Sequence, residues 1–231
     1  MDAGQGIETS RSNWVFDEKV APKFDEHVRK SVPDYDRIQD LAASLSDWFV
    51  KDGGTVVDLG ASTGETLHRI QKRNPAKKIE VIGYDNSSAM IQQAKAKGVD
   101  VHFCDLSMLT EMRGHDYGVS LYTLQFLRPG AKQTVLSVCY DSLKRGGGFF
   151  VVEKVHGSIP EFQDITQQLY WEMKLENGLT PKEVLNKAAA LRGNMFPMTV
   201  AENEALFRRV GFVRYELVYR HLQFAGWLLM K

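Results

Sequence analysis

Thr55-Val-Val-Asp-Leu-Gly-Ala-Ser-Thr-Gly-Glu65 is the stretch around which this 231-residue chain is organised. Val56 and Val57 form a short apolar run that meets an acid at Asp58. Gly60 and Gly64 then bracket small residues, and a helical pattern begins at Thr66. Strand, tight glycine turn and helix N-terminus in that order mark the place where an α/β sheet receives an adenosine-bearing ligand. Gly60 lets the backbone turn and approach the ligand without a Cβ in the way. Ser62 stands where a dinucleotide fingerprint has its second glycine. The spacing therefore suits S-adenosyl-L-methionine (SAM) better than a pyrophosphate, and it disfavours a nicotinamide oxidoreductase. Asp58, Gly60, Ala61 and Ser62 are the first cofactor-binding candidates. The bland alternative is a plain strand-to-helix turn.

Composition narrows the class further. Lys plus Arg number 29 and Asp plus Glu number 29, so no global field draws the chain to nucleic acid or an anionic membrane. Cys104 and Cys139 lie in apolar runs without metal spacing, and six scattered histidines offer no metal site. Reduced thiols fit a cytoplasmic protein. No apolar run approaches membrane-spanning length, and the opening residues lack a signal-peptide pattern. The expected organisation is a flexible tail over 1–13 and a single domain over 14–231.

Before the glycine turn, Val20, Phe24 and Val28 recur at helical spacing until Pro33. Ile38, Leu41, Leu45, Trp48 and Phe49 mark a second amphipathic helix. Residues 14–50 are thus expected to form a helical lid. Its aromatics read as core packing, with Tyr35 the better candidate for the ligand rim. After the turn, a helix over 66–72 leads to a second strand ending at Asp85. An acid there can accept both ribose hydroxyls. Asp85-Asn-Ser-Ser is also a run of helix-capping residues, and the two roles are compatible. Asn86 adjoins the same rim. A third strand ends at Asp105-Leu106, where the acid can face the adenine edge. A fourth ends at Leu121-Tyr122, bordering the methionine side. Pro129, a helix over 131–144 and the glycine turn at Arg145 lead into a fifth strand. Strands alternating with helices imply a parallel sheet. Residues 156–200 interrupt the alternation as a helical insert with a capping-box start at Thr180-Pro-Lys-Glu183. A helix over 201–210, with Gly211 after it, precedes a closing antiparallel hairpin.

Several motifs together carry a resemblance. They are Phe16-Asp-Glu-Lys-Val-Ala, Ser31-Val-Pro-x-Tyr35, Asp58-Leu-Gly-x-Ser62, Asp85-Asn-Ser-x-Ala-Met-Ile91, Thr123-Leu-Gln-Phe-Leu-x-Pro129, Glu153-Lys154 and Gly211-Phe212. The chain resembles the carboxy-S-adenosyl-L-methionine synthases, from Phe16 to its end. The resemblance implies a Rossmann-like class I methyltransferase fold with a mostly parallel seven-stranded sheet, a homodimer, and SAM or carboxy-SAM as ligand. It implies conversion of SAM and prephenate to carboxy-SAM and phenylpyruvate, through a sulfonium ylide that captures carbon dioxide, in the service of tRNA wobble-uridine modification. Tyr35, Gly60, Asp85, Asp105 and Leu106 would line the ligand site. Two positions depart from the family's pattern. A ligand-touching asparagine becomes Leu121, and a carboxylate-pairing arginine in the insert becomes Ala188, preceded by Lys187 and followed a turn later by Arg192.

Other functions remain compatible with these residues. A conventional SAM-dependent methyltransferase acting on a small molecule or RNA needs mainly positioning, and Glu153, His156 and Tyr122 lie near the right strand ends. A non-catalytic SAM-binding protein would keep Asp58, Gly60 and Asp85 as well. No attached nucleic-acid module is present, so direct nucleic-acid binding is not indicated. No catalytic residue is assigned; Tyr122 and Arg192 are the candidates.

Overall fold

The computed structural model describes all 231 residues. Strands β1 (Thr55–Leu59), β2 (Glu80–Asp85), β3 (Val101–Phe103), β4 (His115–Leu121) and β5 (Leu143–His156) pair in parallel. They run in the order β3-β2-β1-β4-β5. The two-residue β6 (Met198–Thr199) lies beside the end of β5. β7 (Arg214–His221) and β8 (Phe224–Met230) close the sheet as an antiparallel hairpin, with β8 against β5. Between these strands lie α3 (Glu65–Arg73), α4 (Ser88–Ala96), α5 (Pro129–Ser142), α6 (Pro160–Glu176), α7 (Pro181–Ala190) and α8 (Val200–Val210). α1 (Phe24–Ser31) and α2 (Tyr35–Phe49) precede β1. This is the expected Rossmann-like methyltransferase architecture, hairpin included.

Side-chain alternation along the strands sorts the core onto two faces. Val57 and Leu59 of β1 join Phe149 and Val151 of β5 beneath α5 and α8. Val56, Phe150 and Val152 point the other way, toward α2, α3 and α4. All five residues of β1 are buried, as expected for a central strand covered on both faces. Because β1 pairs with both β2 and β4, chain direction reverses across its two sides, and a crevice opens at the strands' carboxyl ends.

The N-terminus differs from expectation. Residues 1–13 are packed against the domain rather than forming a free tail. Ala3 and Ile7 are buried in a cluster with Trp14, Val20, Ala21, Met90 and Ala190. The Ser12 N–H donates to the Ala189 carbonyl (3.0 Å), and Asn186 Nδ2 donates to the Asp2 carbonyl (2.6 Å). At Gly4 (φ +112°) a Cβ would lie 2.8 Å from Leu179 Cδ2, so only glycine permits this close approach. The lid is also less helical than its spacing suggests. Trp14 and Phe16 lie in irregular backbone, followed by one short turn (Ala21–Lys23) and then α1. No helix is long and apolar enough to cross a membrane.

Candidate functional site

A cavity of about 290 Å³ opens over the carboxyl ends of β1, β2 and β4. Tyr35, Gly60, Ala61, Ser62, Asp85, Asn86, Asp105, Leu106 and Leu121 all line it. Nine of the ten residues expected at a cofactor site therefore converge on one cavity. Asp58 is the exception.

Asp85 is the organising acid. One carboxylate oxygen accepts the Ser62 N–H (2.8 Å) and the other accepts the Ser87 N–H (2.8 Å). Burial raises its pKa, and the N–H groups of Ser87, Ser62 and Asn86 offset only part of that rise. The capping of α4 falls to Ser87, whose hydroxyl accepts the Met90 N–H. Asp85 is thus free to present its remaining lone pairs to the cavity. Asp105 caps the short turn Leu106–Met108 through the Ser107 N–H (2.9 Å) while its own side chain stays exposed at the rim.

Gly60 also meets a packing demand within the fold. It sits at φ +81°, and a Cβ there would fall 2.1 Å from Thr123 Oγ1, from the loop after β4. The glycine makes room for Thr123 and lines the cavity. Asp58 lies beneath the cavity, 2% exposed, with Oδ1 lacking any partner. Desolvation, reinforced by Asp85, raises its pKa to about 8, with the Thr66 hydroxyl opposing. Near neutral pH this favours the protonated form.

Tyr122 holds a left-handed conformation (φ +60°), strained for a residue with a side chain. Its N–H donates to the Val152 carbonyl (2.7 Å) and its ring stacks on Tyr35 at 6.0 Å, so sheet and lid together hold the conformation. Its hydroxyl is buried without a partner.

Behind Tyr122 lies a second cavity of about 380 Å³. Trp14, Phe16, Phe24, Val28, Tyr122 and Phe126 line both cavities and form their common wall. The lid aromatics Trp14, Phe16 and Phe24 pack in the N-terminal core cluster, as expected, and also line both cavities. The second cavity contains Lys154, Lys174 and Lys187, with Ala188 and Arg192, and no Asp or Glu. Arg192 is exposed and does not reach the first cavity. Sequence spacing missed the three lysines, although Lys174 stands one turn after Tyr170 on the inward side of α6. Burial lowers Lys154 to about 8, and burial with Lys154 nearby lowers Lys174 to about 7. Lys187 is driven well down by burial and by Lys174.

A family model described as a methyltransferase domain matches residues 56–147. A carboxy-S-adenosyl-L-methionine synthase of Staphylococcus epidermidis is 33% identical over 94% of this chain and 97% of its own length. The synthase of Wolinella succinogenes is 35% identical over 97% of this chain and 96% of its own. Among solved structures, human N-acetylserotonin methyltransferase in complex with SAM superposes with a TM-score of 0.62 at 17% identity, covering 93% of this chain and 56% of that one. That last likeness speaks for the fold alone.

Proposed function

Because the chain belongs to the carboxy-S-adenosyl-L-methionine synthase family, and is thereby a SAM-dependent transferase, we propose that it converts SAM and prephenate to carboxy-SAM and phenylpyruvate. The observation that carries this reading is the pair of cavities sharing one aromatic wall. One is ringed by acids and the other by lysines without acids. Bound SAM supplies a methyl carbon activated by the adjacent sulfonium.

The residues of the first cavity fit SAM. Asp85 would accept the ribose hydroxyls, Asp105 the adenine amine, and the Gly60-Ala61-Ser62 turn would follow the ligand backbone. Leu121 and Tyr122 would border the methionine portion, with Tyr35 behind them. SAM is cationic at sulfur and at its amino group, and the acids suit that charge. Asp58, orphaned and proton-bound, would ionise more readily once such a cation lies nearby. The second cavity faces the same wall with the charge that a carboxylated co-substrate needs. Ala188 there leaves space where the family pattern has an arginine.

An exposed apolar row on α6, formed by Phe162, Ile165 and Leu169, supports the homodimer of the same reading. The reading also includes a cytoplasmic setting and a product destined for tRNA wobble-uridine modification. Incubation with SAM and prephenate followed by mass spectrometry tests it. Carboxy-SAM and phenylpyruvate should appear in equal amounts. SAM or S-adenosylhomocysteine alone, with prephenate untouched, would refute the reaction and turn attention to methyl transfer or to binding alone.

A further inference from the structure

Lys174 is 6% exposed, and Lys154 and Lys187 are half-buried beside it. None of the three ammonium groups meets a carboxylate. Lys174 Nζ lies 4.1 Å from the Tyr170 ring centre and Lys154 Nζ 4.7 Å from it, while Lys187 Nζ sits on the face of Trp14. Contrast Lys132, 1% exposed, which pairs with Glu153 at 3.2 Å. Burying several like charges against aromatic rings alone is costly, and a fold does so where a ligand supplies the missing counter-charge. A cavity of this volume admits one ring with its substituents and no folded partner.

We propose that Lys154, Lys174 and Lys187 are the specificity-determining residues of the second cavity, holding the carboxylate groups of the co-substrate. The assignment rests on the proposed reaction for the co-substrate's identity, but not for its charge. The other ionisable groups facing Lys174 are Lys154 and His156 from β5, His27 from α1, Tyr122, Tyr170 on its own helix, and Lys187 and Arg192 beyond α6. All are cationic or neutral. Burial, then Lys187, Lys174 and Lys30, lowers His27 to about 3, so it stays neutral and adds no charge. With no anion present, the lowered lysines share the cavity partly deprotonated. An entering carboxylate favours their charged forms, so protons must come from solvent.

Calorimetric titration tests this with prephenate, phenylpyruvate and the neutral benzyl methyl ketone, in two buffers of different ionisation enthalpy. The carboxylates should bind with proton uptake and the ketone should not. Affinity should fall by at most about tenfold per pH unit for each coupled lysine as pH rises from 8 to 10. Lys174→Met and Lys187→Met should each weaken carboxylate binding about 30-fold or more. Neither should change SAM affinity, and the Lys174→Met melting temperature should hold or rise because a desolvated amine is removed. Equal binding of ketone and phenylpyruvate, or unchanged carboxylate affinity in folded Lys174→Met, would overturn the assignment. Lysine-dependent carboxylate binding without carboxy-SAM formation would uphold it and remove the proposed reaction. Carboxy-SAM formation in both variants with unchanged KM for prephenate would do the reverse.

Discussion

Replacing Asp85 by alanine should cost more SAM affinity than any other single change in the first cavity. Each carboxylate oxygen already accepts one backbone N–H at 2.8 Å, from Ser62 and from Ser87, which fixes the plane of the group. The lone pairs left over suit two adjacent hydroxyl donors. Charge-assisted hydrogen bonds contribute roughly 1.5–3 kcal/mol each, so losing two costs about 3–6 kcal/mol. That corresponds to a rise in Kd of roughly a hundredfold to ten-thousandfold. Isothermal titration with SAM and with S-adenosylhomocysteine should show the same factor, because the ribose is common to both and the sulfonium is not. The two freed N–H groups also lose an acceptor, so a circular-dichroism melt must accompany the titration. Asp85→Asn, which keeps one acceptor oxygen, should fall between wild type and Asp85→Ala. A Kd within threefold of wild type in folded Asp85→Ala would refute the assignment of Asp85 to the ribose.

Ala188→Arg should tighten carboxy-SAM relative to SAM by about tenfold or more if the second cavity receives the new carboxylate; equal ratios before and after, by competition titration, would count against that placement. Gly60→Ala should destabilise the fold by at least about 2 kcal/mol through the Thr123 clash and the positive φ, and adding Thr123→Ala should restore only the steric part, read from denaturant midpoints. Ile7→Ala should cost about 2–4 kcal/mol in the same measurement because Ile7 is fully buried; no change would show that residues 1–13 contribute nothing to the core. Asp58 is raised from 3.8 to about 8, so between those values the folded chain holds a proton that the unfolded chain has lost. Wild-type stability should therefore fall as pH rises from 4 to 8, by at most roughly 1.4 kcal/mol per pH unit from this group. Asp58→Asn should flatten that slope in urea melts of the ligand-free protein, and an unchanged slope would place the titration elsewhere.

Much of the site was legible because it is local. The glycine turn, Asp85 and Asp105 each sit at a strand's carboxyl end, and once the strands are recognised as parallel their ends must meet. Asp58 lies within β1 rather than after it, so the strand's covering layers bury it and it does not line the cavity. The second cavity was not legible because its parts come from β5, α6, α7 and the N-terminal segment, joined only by tertiary packing. Its lysines look like ordinary solvated charges in sequence, and nothing in spacing tells a buried amine from an exposed one. The N-terminal residues were misread for a related reason. Ala3, Gly4 and Ile7 are small or isolated, without periodicity, and their burial depends on α7 being there to receive them.

The wall of Phe16, Phe24, Phe126 and Tyr122 between the two cavities acts as a partition as well as a lining. It separates a compartment suited to a cation from one suited to an anion, with hydrocarbon and π surface between. An ion entering that layer would give up its hydration at a cost of several kcal/mol, whereas a small neutral molecule would pass at little cost. On the proposed reaction, reactants of opposite charge would face each other across this surface, and an uncharged carrier would cross it at less cost than either ion.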